Sequence, residues 1–379
     1  MYRFIASSIF GCLFIFSLNI CGQAATSCTT SAVPAVVHSE GLAEPMGAIT
    51  LQCTGAPGLS ITTNLTIYLP INITNQIDAN GYSTDALLDI AAGTTTTPTG
   101  INGLVTNQSI SFSGVQLSFP ANGQLAIVLS NLRADANQLG LQQTSPIQAF
   151  ISSTGLPIVN NQVTVAFARQ GLFATAMDSG VTCSGSPTPS TVTVTNLISA
   201  GTAEQTTRVT EGFAGAFLPK DPNSETGTRF LLTYANVPSG VTIYVPDAVA
   251  GSTALVPSSG GDLGTAAATG QYQQGSNTLL LVRVLNTDSN GVGGTFATLP
   301  PPNSSGMITL SGANPVPLSS GAGYAVYEVV AADTSTIENA QIPNYFAVPP
   351  NTNTVHLTIL IRLAMSTWQV RERLRGRRG

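Results

Sequence analysis

Between Ile49 and Cys53 the side chains alternate strictly, apolar then polar: Ile49-Thr50-Leu51-Gln52-Cys53. The same period of two returns at Leu65, Ile67 and Leu69, at Ile110 and Phe112, at Val115, Leu117 and Phe119, and at Leu125, Ile127 and Leu129. It sends successive side chains to opposite faces, so each run has one face to bury and one to leave in water. The shift of parity at Gly114 predicts a bulge. Turn residues punctuate the runs, as at Asp78-Ala79-Asn80-Gly81, and Pro70 predicts a bend or an edge. Outside the extreme C-terminus no ten-residue span has a helical period. Short strands at this spacing build sandwiches or barrels, not βαβ units. The expectation is an all-β fold of two tandem Ig-like antiparallel β-sandwich domains.

A chain of 379 residues exceeds one small sandwich and suits two. The stretch 184–190, SGSPTPS, is small, Pro-rich and uncharged, so it reads as a linker. The expected organisation is an export signal over 1–24, one sandwich over 25–185, a second over 186–365, and a basic tail over 366–379. In the second half the strands read as 191–197 (TVTVTNL), 229–237, 241–245, 278–285, 307–310, 324–331 and 354–363. Residues 94–100 (TTTTPTG) read as a loop, 134–140 as a single helical turn, and 250–275 as a Gly/Ser/Ala-rich excursion.

The N-terminus predicts the compartment. Arg3 is followed by an apolar stretch over 4–20, and Gly22-Gln23-Ala24 offers small residues for cleavage before Ala25. The expected location is secreted, extracellular or outer cell surface, with no membrane span in the mature chain. Export permits disulfides. Cys28, Cys53 and Cys183 remain after cleavage, an odd number. Pairing of Cys28 with Cys53 is favoured because it closes a short loop, a contribution of about 3 kcal/mol. A bridge from Cys183 to either one, or three buried thiols, are the alternatives.

Charge excludes one class of partner. Five of the 13 basic residues lie in the last nine positions, while all acids but Glu372 precede the tail. The body is acidic, with Lys220 its single lysine, and repels phosphate backbones, so no nucleic-acid partner is expected. The arginine-rich tail reads as a solvated end.

Motifs for catalysis are sparse. His38 and His356 are the two histidines, read as surface or strand residues, and no metal-ligand spacing surrounds them. No nucleophile elbow or phosphate-binding glycine loop occurs. Residues 286–291 begin like a calcium loop, but the twelfth position is Ala297 where a glutamate is needed, so a hairpin turn is expected. Glu40 with Glu44, and Glu204 with Glu211, are close in sequence and read as solvated loop acids; a glycosidase would need such a pair across a cleft. Four Asn-x-Ser/Thr acceptor patterns, at Asn64, Asn72, Asn107 and Asn303, suit an exported chain. No catalytic, cofactor or metal residue is assigned, and the protein is not expected to be an enzyme.

The stretches Arg208-Val209-Thr210-Glu211-Gly212-Phe213, Ala216-Phe217, Gly227-Thr228-Arg229-Phe230 and Asn236-Val237-Pro238-Ser239-Gly240-Val241, with the cysteine segment, carry a resemblance. Over most of residues 26–348 the chain resembles a group of uncharacterised exported β-rich proteins from soil bacteria of the acidobacterial type. The resemblance implies export and tandem β-domains and transfers no functional residue; the arginine-rich tail departs from it.

These readings point to a non-enzymatic secreted or cell-surface protein with a structural, adhesive or protein-interaction role. Its partner would be an extracellular protein or polysaccharide, or a second copy. The alternative is a carbohydrate-binding module using an aromatic surface of Tyr234, Tyr244, Tyr272, Tyr324 and Tyr327, with Tyr345 nearby. A secreted glycoside hydrolase is the weakest reading.

Overall fold

The computed structural model describes residues 26–140, 144–178, 189, 191–200, 202–220, 226–251, 270–349 and 358–363. The stretch 1–24 read as an export signal, Cys183, His356, the basic tail, and most of the 184–190 linker and the 250–275 excursion lie outside the described residues.

The alternating runs form two sheets that face each other. One has the strand order Ile158–Asn160, Ser27–Ala32, Ile49–Thr54, Gln124–Ser130, Leu87–Ala92, Thr95–Pro98. The other runs Ala35–His38, Gln162–Arg169, Ser145–Ser153, Ser60–Tyr68, Ser109–Ser118, Leu104–Thr106. Ile49, Leu51 and Ile127 from the first meet Leu65, Ile67, Ile110 and Phe112 from the second in one buried core. Each such side chain contributes roughly 1.5–3 kcal/mol on burial. The bulge forms where parity shifts: the register slips between Thr63 and Leu65, and Gly114 takes φ 71°. Asn64 Oδ1 accepts the Gly114 N–H at 2.9 Å, holding the extra residue in place.

Pairing is mostly antiparallel, with two parallel exceptions. Ser27–Ala32 runs parallel to Ile158–Asn160, and Ala35–His38 runs parallel to Gln162–Arg169. Pro34 supplies the reason. It interrupts the first strand, so the two halves join opposite sheets.

A second sandwich follows. Its five-stranded sheet orders Leu172–Asp178, Ala203–Glu211, Asn339–Ala347, Thr242–Pro246, Ala313–Pro315. Its seven-stranded sheet runs Ala248–Ala250, Leu280–Leu285, Ala322–Ala331, Arg229–Ala235, Thr358–Leu363, with two short strands alongside. Val209, Ile342 and Ile243 pack there against Phe230, Leu232 and Tyr327 in a separate core.

Several elements differ from the sequence reading. Leu172–Asp178, placed by sequence in the first domain, pairs along its whole length with Ala203–Glu211, and Leu172 joins the second core. The crossing therefore precedes the Pro-rich linker. Residues 95–98 form an exposed edge strand on Leu87–Ala92, since a threonine run needs only one neighbour. Residues 194–199, overlapping the expected 191–197 strand, form a helix. Thr193 caps it by accepting the Asn196 N–H at 3.1 Å, and Val194 and Leu197, three apart, bury on one face.

Asn339–Ala347 was not legible as a strand. It is buried at every position and carries Pro343. Pro343 pairs with Thr206 on one side, while the strand on the other side reaches only to Tyr345, so no ladder bond needs its missing N–H.

Candidate functional site

Ionisable side chains placed inside a sandwich must find partners, and here they find backbone. Glu211 Oε1 accepts the Phe217 N–H at 2.7 Å and Oε2 the Glu338 N–H at 2.9 Å. Glu338 accepts from Leu279 and Asp333, both at 2.7 Å. Burial pushes the Glu211 carboxyl up to about 7, the two N–H donors holding it lower than burial alone would. These are neighbouring carboxylates, yet each of their four oxygens already ties a loop to the sandwich. Glu328 is bound by the Arg229 guanidinium at 2.8 Å and by the Gly227 N–H at 2.8 Å. Arg229 also donates to the carbonyls of Gly291 and Gly293. Glu204 and Glu211, expected as solvated acids, are both buried because their strand is central to the second sandwich.

Glu40 and Glu44 are also structural, at the joint between the sandwiches. Both Glu40 oxygens accept the Gly171 N–H, at 3.1 and 3.0 Å, and Oε1 accepts that of Leu172 at 3.3 Å. His38 Nδ1 lies 3.1 Å from Glu44 Oε2, and Nε2 lies 2.6 Å from the Ala216 carbonyl. Burial opposes charge on His38, but the Glu44 charge and hydrogen bond, the Ala216 carbonyl and Glu40 outweigh it and raise the imidazole to about 9. At neutral pH it donates from both nitrogens. Glu44 is held below the usual carboxylate range: burial raises it, and the charge and hydrogen bonds of His38 more than offset that. Gly171 is required here, since a Cβ would sit 2.0 Å from His38 Cδ2.

Cys28 and Cys53 are directly opposed across adjacent strands and form a disulfide. Cys183 lies outside the described residues.

The expected aromatic surface does not form. Tyr234, Tyr244, Tyr272, Tyr327 and Tyr345 are buried, and Tyr324 is half-buried. Their hydroxyls pin the second core instead. Tyr234 donates to Asn344 Oδ1 at 2.6 Å, Tyr327 to the Pro246 carbonyl at 2.6 Å, Tyr272 to that of Ser276 at 2.8 Å, and Tyr324 to that of Thr287 at 2.6 Å. Burial pushes Tyr234, Tyr327 and Tyr345 well above the usual phenol range. Their strands are central, so the apolar rings serve the core.

Tyr68, Tyr82, Phe150 and Phe167 are exposed on the first sandwich, and Phe173 and Phe296 on the second. Tyr68 and Phe150 are cross-strand partners, 45% and 46% exposed, with ring centroids 6.3 Å apart and planes tilted by 50°. Register extends their row across five strands as Gln162, Phe150, Tyr68, Ser109 and Thr106. The next row on this face is Ser152, Thr66, Ser111 and Leu104, and a bridge sets exposed Tyr82 beside Leu104. Thr66 and Ser111 hydroxyls meet at 3.0 Å and those of Thr106 and Ser109 at 2.7 Å. Gln162 Nε2 donates to Gln148 Oε1 at 2.7 Å. Neither row contains a carboxylate or a cation. Beside Phe150 a cleft of about 220 Å³ opens over Ser152, Ser153, Leu156 and Asn161. The sequence shows Tyr68 and Phe150 at polar positions of alternating runs, which was the available signal.

The Asp288 turn closes as a hairpin, its Oδ1 accepting from Asn290 and Val292 at 2.9 Å. Asp78 does the same for Asn80 and Tyr82, and Asn303 for Ser305 and Met307. Lys220 is exposed. Among the described residues no cluster of three or more His, Cys, Asp or Glu is arranged to hold a metal, and no helix is long and apolar enough to cross a membrane.

No family model and no curated protein matches the chain. A solved structure described as BspA_C_WT is similar over 89% of this chain and 97% of its own, at 6% identity and a TM-score of 0.33. The Enterococcus faecalis MSCRAMM ACE, described as binding its ligands by the collagen hug model, is similar over 89% of this chain and 93% of its own, at 9% identity and a TM-score of 0.21. The CsuC–CsuE chaperone–tip adhesion subunit complex from Acinetobacter baumannii matches over 90% of this chain and 100% of its own, at 12% identity and a TM-score of 0.17. At these TM-scores the likeness carries no argument about ligand, partner or activity.

Proposed function

We propose that this protein is a non-enzymatic, exported β-sandwich protein that works by contact, in a structural, adhesive or interaction role at the cell surface. The supporting observation is how its side chains are used. Buried Glu211 and Glu338 bind backbone N–H groups, Glu328 binds an arginine and Glu204 accepts from the Thr206 hydroxyl, whereas one sheet of the first sandwich turns Tyr68, Phe150, Val36 and Phe167 outward. Catalysis by two carboxylates needs oxygens left for substrate or water across a cleft. Binding needs an accessible face with apolar anchors. The disulfide suits the oxidising compartment that the N-terminal sequence predicts.

The test uses the mature chain purified with its disulfide intact. Sedimentation at rising concentration reads self-association. Adhesion to whole bacterial cells and to immobilised extracellular matrix protein and polysaccharide reads contact. Association with itself or with one of these surfaces is expected. A chain that stays monomeric and adheres to none of them would refute the reading.

A further inference from the structure

The two rows across the first sandwich have a chemistry narrower than adhesion in general. We propose that the Tyr68–Phe150 face binds a neutral polysaccharide; this rests on the contact reading above and names its ligand class. The face lies on five hydrogen-bonded strands, so it spans about 19 Å, long enough for a run of several sugar rings.

Charge selects the ligand. The rows hold hydroxyl and amide side chains around aromatic rings, with no carboxylate or cation. An anionic polymer calls for Arg or Lys here, and the acidic body repels it. A cationic polymer calls for carboxylates on the face. A sugar chain without charge offers apolar C–H faces that lie on aromatic rings, and hydroxyl edges that exchange hydrogen bonds with Ser, Thr and Gln. Tyr68 and Phe150 supply the rings. The hydroxyl pairs Thr66–Ser111 and Thr106–Ser109 supply donors and acceptors already held on a rigid sheet. The cleft over Ser152 and Asn161 continues the face beyond Phe150 and gives one end of the chain a recess.

A second copy fits less well. The exposed apolar side chains of these rows, Tyr68, Phe150, Tyr82 and Leu104, present roughly 350 Å² of surface, against about 800 Å² per partner in a stable interface. A further apolar pair on this sheet, Val36 beside Phe167, belongs to a separate row beyond Gln148. The apolar surface is divided, where a protein interface needs a continuous core.

The experiment measures depletion of the mature chain by insoluble cellulose, chitin, xylan and mannan, and by polygalacturonate as the anionic control. Three proteins are compared: wild type, Tyr68→Ala/Phe150→Ala, and Phe296→Ala, which removes an exposed ring from the second sandwich. Wild type and Phe296→Ala are expected to bind at least one neutral polysaccharide, with little change between low and high salt. The double variant, tested after its melting curve matches wild type, is expected to bind about tenfold more weakly or worse. Binding to polygalacturonate alone, binding unchanged in the double variant, or no binding to any neutral polysaccharide overturns the proposal. In that last case, adhesion to cells or self-association by the same preparation leaves the contact reading standing. Loss of all adhesion and association takes both down.

Discussion

The His38 imidazole of the first sandwich lies 2.6 Å from the Ala216 carbonyl of the second, 178 residues away along the chain. Its other nitrogen is held by Glu44, six residues ahead. A charged hydrogen bond to a carbonyl thus crosses the joint, and Glu40 binds the connecting backbone at Gly171 and Leu172 beside it. Packing of His38 against the Phe213 ring, 5.4 Å between centroids, adds an apolar contact to the same joint.

His38 makes the joint sensitive to pH. Its pKa rises on folding from 6.5 to about 9, because Glu44 and the Ala216 carbonyl outweigh burial. The folded state therefore holds the proton more tightly, and its contribution is complete below 6.5 and disappears as pH climbs through 9. Stability measured by urea unfolding is expected to fall over that window. In His38→Gln the decline in the window should shrink. An unchanged slope would show that His38 is not protonated in the joint.

Glu211 acts in the same direction at lower pH. Burial raises its folded pKa to about 7 against 4.5 in the unfolded chain. Ionising it costs the folded state more than the unfolded one, so its effect is a loss of stability as pH rises from 4.5 to 7, constant above. Glu211→Gln is expected to remove that slope. It also sets an amide NH₂ against one of two backbone N–H groups, a cost of about 1–3 kcal/mol. Calorimetry across pH 4–8 checks both parts.

Reduction of Cys28–Cys53 should act on one sandwich alone. The bridge spans a sequence separation of 25 inside the first core, and its removal is expected to cost about 3 kcal/mol. The second sandwich has its own core. In calorimetry one transition should move down on reduction or in Cys53→Ala, and the other should hold. A shift of both together would mean that the sandwiches unfold as one unit.

Arg229 is the sensitive charge of the second sandwich. It binds Glu328 at 2.8 Å and two loop carbonyls, with both side chains under a tenth exposed. Arg229→Ala strands a buried carboxylate and should destabilise by about 3–5 kcal/mol. Arg229→Met/Glu328→Leu replaces both partners and should recover much of that loss. A double variant no better than the single would assign the cost to the Gly291 and Gly293 carbonyls.

Tyr327 separates core from surface. Its hydroxyl donates to Pro246 from a fully buried position. Tyr327→Phe should lower stability by about 1 kcal/mol and leave polysaccharide binding unchanged. Lost binding with unchanged stability would restore a ligand role to the second sandwich.

Local pattern carried much of the fold. The alternation at Ile49–Thr54 and Ser109–Ser118, the bulge at Gly114 and the turn at Asp288 depend on side-chain period and backbone sterics within a few residues. Those forces act before distant strands meet. The Cys28–Cys53 pairing was legible for a similar reason, since a short loop brings its ends together readily. Several elements escaped, and three show why. Thr193 prefers strand or cap according to what surrounds it, and the buried face for Val194 and Leu197 made it a cap. Pro343 argues against a central strand until the short reach of its neighbour is known. Leu172–Asp178 has a period but no mark of which sheet it joins.

The functional surface divides in the same way. Residue order establishes the low charge and the β texture, and predicts export, because these are sums or short patterns along one chain. It does not establish which tyrosines face water. Tyr327 and Tyr68 both lie on strands with a neighbour on each side, but one ring turns into the core and the other outward. Nor does it reveal that His38, Glu40 and Glu44 form a joint with Ala216 and Gly171. Burial and facing depend on which strands stack on which, and that is a property of contacts between residues far apart in sequence.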